Sequence, residues 1–593
     1  MRRNIFDRTD SARSSIGVTS LSVTLKLRQQ GRIYRRSRYS ARCGSRKPLF
    51  EPIGRPAGTD QFLSQAPNQS PNHGRQLTSK EFLVAIKIIV TNYSALRNKG
   101  YTESGIKSIQ KELAALIKAD KDRGITTTVV DVSNNDDVAH HNAPVVTSEK
   151  DEKQSKDTID KVFHSAKPDY LMILGSSDVI PHQTLNNPHT NHHESSDVDL
   201  TVPSDLPYAS ETSYGDGGKE AKNYNNPSRV VGRLPDLTDG HDLAHLVRLI
   251  QLAAKSVPSP RKEYDNYFGL SAEVWKEGSA RDLTYLFGNS TALHLVPPET
   301  SPWKPPTPLG ALIHFVSCHG TFSNPEWFGE SKDGGGNEIP PLAMASDDIK
   351  QNITYGTIAA PQCCYGAELF STKTSPGIPL CSTYLDNGAT AFFGSTNVAF
   401  AQQGSCKYAD LITRTFIEEA LKGQSIGYAA LKAQQDYVKQ NSSLNPFSLK
   451  TLAQFILLGD PSLKPVELPP QVAETDTQSA TADRRRQALI AARTLERGVS
   501  VPVAITEARI SPEFETVLRE VGQQHDFPSD ASLSSYDEVW QGDSATVEGT
   551  GQPPRQHVLY AVRDPSAPVR TDIALIIREQ QGAILSVEKL HAV

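Results

Sequence analysis

HFVSCHG, at residues 314–320, and PQCCYGA, at 361–367, indicate how this chain folds. Each stretch closes an apolar run of strand length, LGALIHFVS (309–317) and TIAAPQ (357–362). Continuous apolar runs are typical of strands buried on both faces, as in parallel sheets. Polar residues at the carboxyl ends of such strands lie at one edge of the sheet, where α/β folds build their sites. We therefore expect the residues that end the two stretches to lie together.

The surrounding sequence repeats this alternation of strands and helices. A helical pattern (105–124) separates the first two apolar runs, and other helical patterns lie between later runs. This order predicts an α/β fold, with two adjacent α/β subdomains that have mainly parallel sheets and with a smaller C-terminal domain. The further predicted strands are FLVAIKIIV (82–90), TTTVVDV (126–132), YLMILG (170–175), YFGLSA (267–272), ATAFFGS (389–395) and FILLGDPS (455–462).

The chain has 593 residues, too many for one hydrophobic core. The first 50 residues hold eleven Arg and two Lys against two Asp, and we expect a disordered arm there; a transit peptide and a nucleic-acid-binding arm are the alternatives. We expect a hairpin in IALIIREQQGAILSVEKL (573–590), with QQG at its turn. The predicted organisation is a basic N-terminal arm (1–76), an N-terminal α/β subdomain (77–255), a catalytic α/β subdomain (256–465), a linker (466–490) and a C-terminal accessory domain (491–593).

Composition excludes several classes of protein. A net charge of −5 gives no overall electrostatic case for binding nucleic acid or a membrane surface. Six cysteines in 593 residues do not make a disulfide framework, which favours a reducing compartment. No run approaches the roughly 20 apolar residues that span a bilayer, and the apolar stretch of a secretory signal is also missing. We expect a cytoplasmic protein, and the oligomeric state stays open.

Histidine and cysteine at the ends of adjacent strands suit nucleophilic chemistry. A cysteine reacts as thiolate, and a nearby imidazole lowers its pKa or accepts its proton. The backbone N–H groups of Gly320 and Cys364 could then hold an oxyanion. The alternative is plain core packing, because free cysteine is among the most buried residue types.

The two stretches together resemble the signature blocks of the caspase-like (clan CD) cysteine peptidases: an apolar strand followed by His-Gly, and another followed by Cys. Residues 80–465 further resemble the gingipain-like branch of that clan. The HFVSCHG block alone is equally similar to CHAT domains of the same clan. The supporting segments are PDYLMILGSSDVIPH (168–182), SDLPYAS (204–210), RVVGRLPD (229–236), GATAFFGST (388–396) and LLGDPSLKP (457–465).

The resemblance implies roles for particular residues. Cys364, followed by Tyr-Gly-Ala-Glu, fits the nucleophile position, with Cys363 as the alternative nucleophile; neighbours on a strand face opposite sides, so only one of them can face the imidazole. His319 would be the base, and Gly320 would contribute to the oxyanion site. Glu273, in LSAEVW (270–275), resembles the glutamate that orients the histidine, although an exposed strand-end carboxylate is an equal alternative.

Other polar residues are expected to stand outside this chemistry. His314 is expected to be packed or hydrogen-bonded within its strand, and Cys318 to point away from the site. By resemblance, the pocket for the substrate residue that supplies the attacked carbonyl (P1) would involve 395–403. Asp282 could attract a basic P1 residue or be a surface carboxylate. The segment between Glu273 and the His-Gly strand is shorter than in gingipains, so an arginine or lysine preference is not implied.

The predicted function is that of a cysteine endopeptidase acting on protein or peptide substrates through a Cys-His dyad and a thioester acyl-enzyme. No cofactor is expected. The loop HTNHHESSDVD (189–199) has metal-ligand residue types but no spacing that fixes a geometry, so no metal site is expected. Two alternatives stay open: a CHAT-type signalling protease with one dedicated protein partner, and a catalytically silent scaffold of the same fold.

Overall fold

The structure is a computed structural model, and it describes the chain from residue 84 with several gaps. The predicted basic arm (1–76) lies outside the described residues, as does the predicted linker beyond residue 470. The described residues are 84–189, 197–298, 302–331, 340–375, 377–402, 404–441, 444–470, 501–502, 506–507, 510–537, 540–541, 554–562 and 571–593.

The N-terminal half alternates strands and helices, as predicted. Helix α2 shows why: Thr102 caps its N-terminus by accepting from the N–H of Gly105, and the side chains it buries recur at the helical period. The elements are β1 (Ala85–Thr91), α1 (Tyr93–Lys99), α2 (Glu103–Asp122), β2 (Ile125–Asp131), α3 (Asn135–Ala139), α4 (Glu152–Ala166), β3 (Tyr170–Leu174), β4 (Gln183–Asn186), β5 (Thr201–Ser204), α5 (Leu206–Ala209), α6 (Tyr214–Gly217), β6 (Val231–Leu234) and α7 (Leu243–Lys255).

The second half carries the two stretches that opened the sequence analysis. Strands β10, β14 and β15 are buried along their whole lengths, which agrees with their continuous apolar sequences. The elements are β7 (Ser259–Pro260), β8 (Tyr267–Ala272), α8 (Lys276–Phe287), β9 (Leu293–Val296), β10 (Ile313–Ser317), β11 (His319–Gly320), β12 (Glu326–Phe328), β13 (Leu342–Ala345), α9 (Ser346–Ile349), β14 (Ile358–Pro361), α10 (Leu380–Asp386), β15 (Ala391–Ser395), β16 (Phe400–Gln402), α11 (Ala409–Leu421), α12 (Ile426–Gln440), α13 (Pro446–Gln454), β17 (Phe455–Leu458) and β18 (Val466–Glu467).

Both halves share one sheet. Its ten described strands run in the order β2-β1-β3-β6-β17-β15-β14-β10-β8-β9. Neighbouring strands are parallel except for β15 and β17. The halves meet where Arg233 of β6 pairs with Leu458 of β17. The predicted α/β class with a mainly parallel sheet is confirmed, and the two predicted subdomains are the two sides of a single sheet.

The C-terminal part forms an antiparallel sheet in the order β16-β25-β24-β23-β21-β20, so it includes β16 from the second half. The predicted hairpin is confirmed: β24 pairs with β25, and Gln581 and Gly582 at the turn both have positive φ. Within the described part of the chain, no helix is both long and apolar enough to cross a membrane. The C-terminal elements are β19 (Val501–Pro502), β20 (Thr506–Glu507), α14 (Pro512–Gln524), β21 (Ser532–Asp537), β22 (Trp540–Gln541), β23 (Arg555–Val562), β24 (Asp572–Gln580) and β25 (Ala583–Ala592).

Candidate active site

The register of two neighbouring strands brings the His-Gly and Cys blocks level. Strands β10 and β14 are parallel, with Val316 opposite Pro361. The N–H of Gln362 donates to the carbonyl of Val316 at 2.8 Å, which extends this register beyond the strand ends. His319 and Cys364 each stand three residues past that pair. The sheet therefore delivers both residues to the same edge and the same level.

Gly320 lets the two blocks approach closely. A Cβ added to this glycine would lie 1.8 Å from the carbonyl oxygen of Cys364, far inside van der Waals contact. Any side chain at this position would push the two segments apart. The glycine is therefore required by the close backbone approach, in addition to the predicted role of its N–H toward a ligand.

His319 is buried, and one of its two ring nitrogens is paired with a carboxylate. Its Nε2 pairs with Oε2 of Glu330 at 2.8 Å. Its Nδ1 is buried and has no hydrogen-bond partner among the described residues. A carboxylate on one nitrogen fixes the ring orientation and the tautomer, and so leaves the other nitrogen for proton transfer.

Glu330, rather than the predicted Glu273, is the carboxylate that pairs with His319. Glu273 accepts a hydrogen bond from Oγ of Ser331 at 3.4 Å instead. Glu330 is placed by the hairpin of β11 and β12, in which His319 stands opposite Phe328. Its own N–H donates to the carbonyl of Val296 at 3.1 Å. The sequence signal would have been an acidic residue shortly after the His-Gly turn, but only a known hairpin register makes it specific.

The two adjacent cysteines have different surroundings. The N–H of Ala399 donates to Sγ of Cys364 at 3.2 Å. Burial raises the pKa of the Cys364 thiol to about 12, although the Ala399 backbone acts in the opposite direction. Cys363 is fully buried, and its thiol pKa is raised by burial first and then by the neighbouring Cys318.

His314 and Cys318, which were expected to take no part in the chemistry, lie in the core. Nδ1 of His314 lies 3.0 Å from the hydroxyl of Tyr384, and its Nε2 lies 3.1 Å from the carbonyl of Ala311. Burial lowers the pKa of His314 to about 4, so this ring is neutral. The expectation that His314 is packed and hydrogen-bonded is confirmed. Cys318 is also fully buried, and burial raises the pKa of its thiol.

The turn after β14 is tied to the loop after β15. Tyr365 has a positive φ of 53°, and its N–H donates to the carbonyl of Asn397 at 2.9 Å. The N–H of Ala367 donates to the carbonyl of Ser395 at 2.7 Å. These bonds hold Cys364 at the start of a tight turn against the loop that was predicted to line the P1 pocket.

Ion pairs of the loop 189–199, which has metal-ligand residue types, stabilise the same turn. Asp199 accepts from the hydroxyl of Tyr365 at 2.7 Å and from the N–H of Val398 at 2.9 Å. The buried Lys450 on α13 pairs with Asp199 at 2.9 Å and also with Asp197. The described acidic residues of this loop therefore neutralise a lysine, and residues 190–196 lie outside the described part.

The end of strand β25 lies in the site. The carbonyl of Val593 accepts from the N–H of Cys364 at 2.5 Å, and the N–H of Val593 donates to the carbonyl of Ala399 at 3.0 Å. Just before it, Ala592 pairs with Phe400 of β16. Val593 is fully buried, so this strand covers the residue that was predicted to be the nucleophile.

A cavity of about 270 Å³ lies beside β16, which contributes Ala401 and Gln402 to its lining. Its lining includes Trp275 and Ala401 and the charged residues Glu273, Lys276, Glu277, Arg281 and Asp410. Arg281 and Asp410 pair with each other at 3.2 Å.

Asp282 is not the surface carboxylate that the sequence suggested. It is fully buried and pairs with Arg281 at 3.2 Å and with Arg414 at 3.4 Å. Asp282, Cys406 and Asp410 have metal-ligand atoms within 4.8 Å of one another. Because Arg281 pairs with both carboxylates, this group is charge-balanced by a guanidinium.

Residues 342–466 match the model of Peptidase family C25. The matched segment contains Cys364 and the loop after β15, and His319 precedes it. A solved structure described as "Structure of Protease" aligns with 86% of this chain and 98% of its own, at 11% identity and a TM-score of 0.43, which is too low to carry an argument. Comparison with curated protein sequences found no match. The similarity to Peptidase family C25 indicates a cysteine peptidase and confirms the resemblance to gingipain-like peptidases.

Proposed function

We propose that this protein is a cysteine endopeptidase in which His319 assists Cys364. The observation that carries the proposal is the shared register of β10 and β14, which puts the two residues level at one sheet edge. Nδ1 of His319 has no hydrogen-bond partner in the described part of the chain, and Glu330 holds its Nε2, an arrangement that would supply a base in a fixed tautomer.

The reaction has two steps. His319 takes the thiol proton, and the sulfur of Cys364 bonds to the carbonyl carbon of a peptide. The C–N bond then breaks, and the imidazolium gives its proton to the leaving amine. Water next attacks the thioester while His319 takes its proton, which frees the acid product and restores the thiol.

The oxyanion site is supported by the amide of Cys364. This N–H already holds a carbonyl oxygen, that of Val593, at 2.5 Å. A fixed donor at this position favours the negative charge that develops on the oxygen of an attacked carbonyl. Gly320, packed against Cys364, is the second proposed donor.

The thiol needs one rotation to act. Its Sγ is held by the N–H of Ala399, and His319 makes no hydrogen bond to it. In the proposed reaction, rotation about the Cα–Cβ bond of Cys364 would exchange that contact for the imidazole, and catalytic groups often show loose hydrogen bonds before substrate binds. Cys363 stays the alternative nucleophile, because burial raises the thiol pKa of both cysteines and so does not separate them.

The test uses a peptidyl acyloxymethyl ketone probe and a mixed peptide library on wild type, Cys364→Ala, Cys363→Ala and His319→Gln. Loss of probe labelling and of cleavage in Cys364→Ala and His319→Gln, with Cys363→Ala still active, supports the proposal. Loss in Cys363→Ala alone would move the nucleophile to that residue. Equal labelling of all four proteins would leave only a scaffold of this fold.

A further inference from the structure

Strand β25 enters the candidate active site in the way that a bound peptide would. Residues 590–592 pair antiparallel with β16, the strand that follows the loop after β15. The pairing ends at Val593, whose N–H and carbonyl are bonded to Ala399 and Cys364. An extended peptide held by main-chain hydrogen bonds along an exposed strand is a common mode of peptide recognition.

The position of the Val593 carbonyl indicates which residue of a bound peptide this segment imitates. The oxygen of Val593 lies on the N–H of Cys364, where the proposed reaction holds the oxygen of the attacked peptide bond. Val593 thus takes the place of a P1 residue. Ala592, His591 and Leu590 take the places of the three residues before it.

The side chain of Val593 lies in an apolar pocket. It packs with Ala272, Trp275 and Ala401, and Val274 borders the group. These apolar side chains offer no charge to the Val593 side chain, while Glu273 and Glu277 line the adjoining cavity that shares Val274, Trp275 and Ala401. Asp282, which the sequence suggested could attract a basic residue, is buried and paired with two arginines. The pocket therefore suits a small aliphatic side chain.

The segment is also fixed from outside the pocket. Lys407 pairs with Glu588 of β25 at 2.6 Å, and the hydroxyl of Tyr408 donates to the same carboxylate at 3.3 Å. The ring of His591 meets Trp275 edge-on, with centroids 5.5 Å apart. Trp275 in turn lies 6.2 Å from the ring of His319, so one tryptophan contacts the segment and the proposed base.

We propose that residues 590–593 occupy the substrate cleft of their own chain in the manner of P4 to P1, and that this cleft selects peptides with a small aliphatic residue at P1. The inference rests on the proposed function for the meaning of P1. It adds the direction of the bound peptide, the residues of the P1 pocket and an occupant that substrates must displace.

The experiment uses the full-length chain with Val593→Asp, which places a charge in the apolar pocket, and a second variant that lacks only Val593. Leu585→Asp is the matched control, because Leu585 lies on the same strand and is 51% exposed. Removing the occupant should raise the rate of probe labelling on the order of tenfold or more, since an empty cleft no longer has to be vacated. Leu585→Asp should label at the wild-type rate.

Specificity is measured separately by binding. Fluorescein-labelled Leu-His-Ala-Val is titrated into Val593→Asp combined with Cys364→Ala, which removes chemistry, and is followed by fluorescence polarisation. The matched peptide Leu-His-Ala-Asp should bind more weakly by on the order of tenfold, because its carboxylate would be desolvated without a partner. A library cleaved by Val593→Asp should show valine or alanine at P1.

The outcomes separate the two proposals. Binding of Leu-His-Ala-Val without cleavage of any peptide supports the cleft assignment and contradicts the endopeptidase. Cleavage after basic residues, with no preference between the two labelled peptides, keeps the endopeptidase and overturns the aliphatic pocket. Equal labelling rates for wild type and both Val593 variants would overturn the occupied cleft.

Discussion

The contact of His319, the proposed base, with Glu330 fixes the orientation and tautomer of its ring. The imidazole has two nitrogens, and in this structure Glu330 holds Nε2 at 2.8 Å while Nδ1 stays without a partner among the described residues. The carboxylate therefore leaves Nδ1 as the nitrogen for the proposed proton transfer with a thiol. In that reaction it would also stabilise the imidazolium.

Glu330→Gln should lower kcat on the order of 10²-fold with little change in KM, because the amide keeps the shape but not the charge that stabilises the imidazolium. Steady-state kinetics on a cleaved library peptide would measure this split. Glu273→Gln is the control, since Glu273 accepts from Ser331 and not from His319. Equal losses in both variants would argue against a special role for Glu330.

At the scale of residues, the sequence predicted His319 and Cys364 but not Glu330, the carboxylate that pairs with His319. His319 and Cys364 could be placed because each ends a strand whose partner was foreseeable. Glu330 could not, because strands as short as β11 and β12, with two and three residues, carry no periodicity. The glutamate that resemblance suggested, Glu273, belongs to a different turn.

The turn after β14 is the element that joins the two proposed catalytic segments. Its last residue, Glu368, accepts from the N–H of Ser323 at 2.7 Å, and Ser323 lies just past the His-Gly block. Burial raises the pKa of Glu368 to about 8, against the lowering effect of that N–H, while Asp199 raises it further. The side chain is therefore neutral at pH 7, although it is the acidic residue of the Cys-Tyr-Gly-Ala-Glu pattern.

The stability of wild type should fall relative to Glu368→Gln as pH rises. The folded state binds this proton more tightly than the unfolded state does, so the contribution is complete below about pH 4.5 and is lost as pH passes 8. Thermal melts at pH 5 and pH 9 should give similar Tm values at the lower pH and a higher Tm for the variant at pH 9.

Glu520→Gln serves as the comparison for that experiment, because Glu520 is exposed on α14. It should track wild type at both pH values. A Glu368→Gln protein that melts below wild type at pH 9 would contradict the burial of a neutral carboxyl in this turn.

Elements were predicted well where apolar runs are long. Strands β3, β8, β15 and β17 fall within predicted runs, and β1 extends one residue past its run. The polar sequence between β3 and β6 contains the β4–β5 hairpin and the short helices α5 and α6, and none of these elements was predicted. Polar sequence hides such pieces, because their stability comes from tertiary contacts such as that of Asp199 with Tyr365.

Across the whole molecule, a buried ion cluster fastens the N-terminal half to the end of β17. Lys87 on β1 pairs with Asp120 and with Asp460, each at 2.6 Å, and all three side chains are fully buried. Asp460 belongs to the GDPS segment that contributed to the family resemblance, and it also accepts from the N–H of Ser462 at 3.0 Å. The segment is therefore structural in this molecule.

Lys87→Met should destabilise the fold by about 3–5 kcal/mol, because it leaves the buried Asp460 without its ion-pair partner and leaves Asp120 with Arg123 alone. Urea unfolding followed by circular dichroism would measure the loss. Lys153→Met, which breaks the exposed pair with Asp157, should leave the midpoint unchanged. Equal urea midpoints for the two variants would contradict a stabilising role for the cluster.

The sequence predicted an α/β protein with parallel strands, since continuous apolar runs carry that information. It did not predict that the halves share one sheet, because the pairing of β6 with β17 joins residues far apart in the chain. The local sequence of β6 or of β17 does not indicate which distant strand it pairs with. The entry of β25 into the site was hidden for the same reason, since its partner β16 lies in another predicted domain.

The insertion of β17 between β6 and β15 has a mechanical consequence. The N-terminal strands join the rest of the sheet through β17, which comes late in the sequence. The two halves are therefore connected by the chain at one place and by strand pairing at another. A backbone cut between residues 255 and 256 would separate the polypeptide into two pieces without separating the particle. Each piece would keep the other in place by the hydrogen bonds of the central ladder.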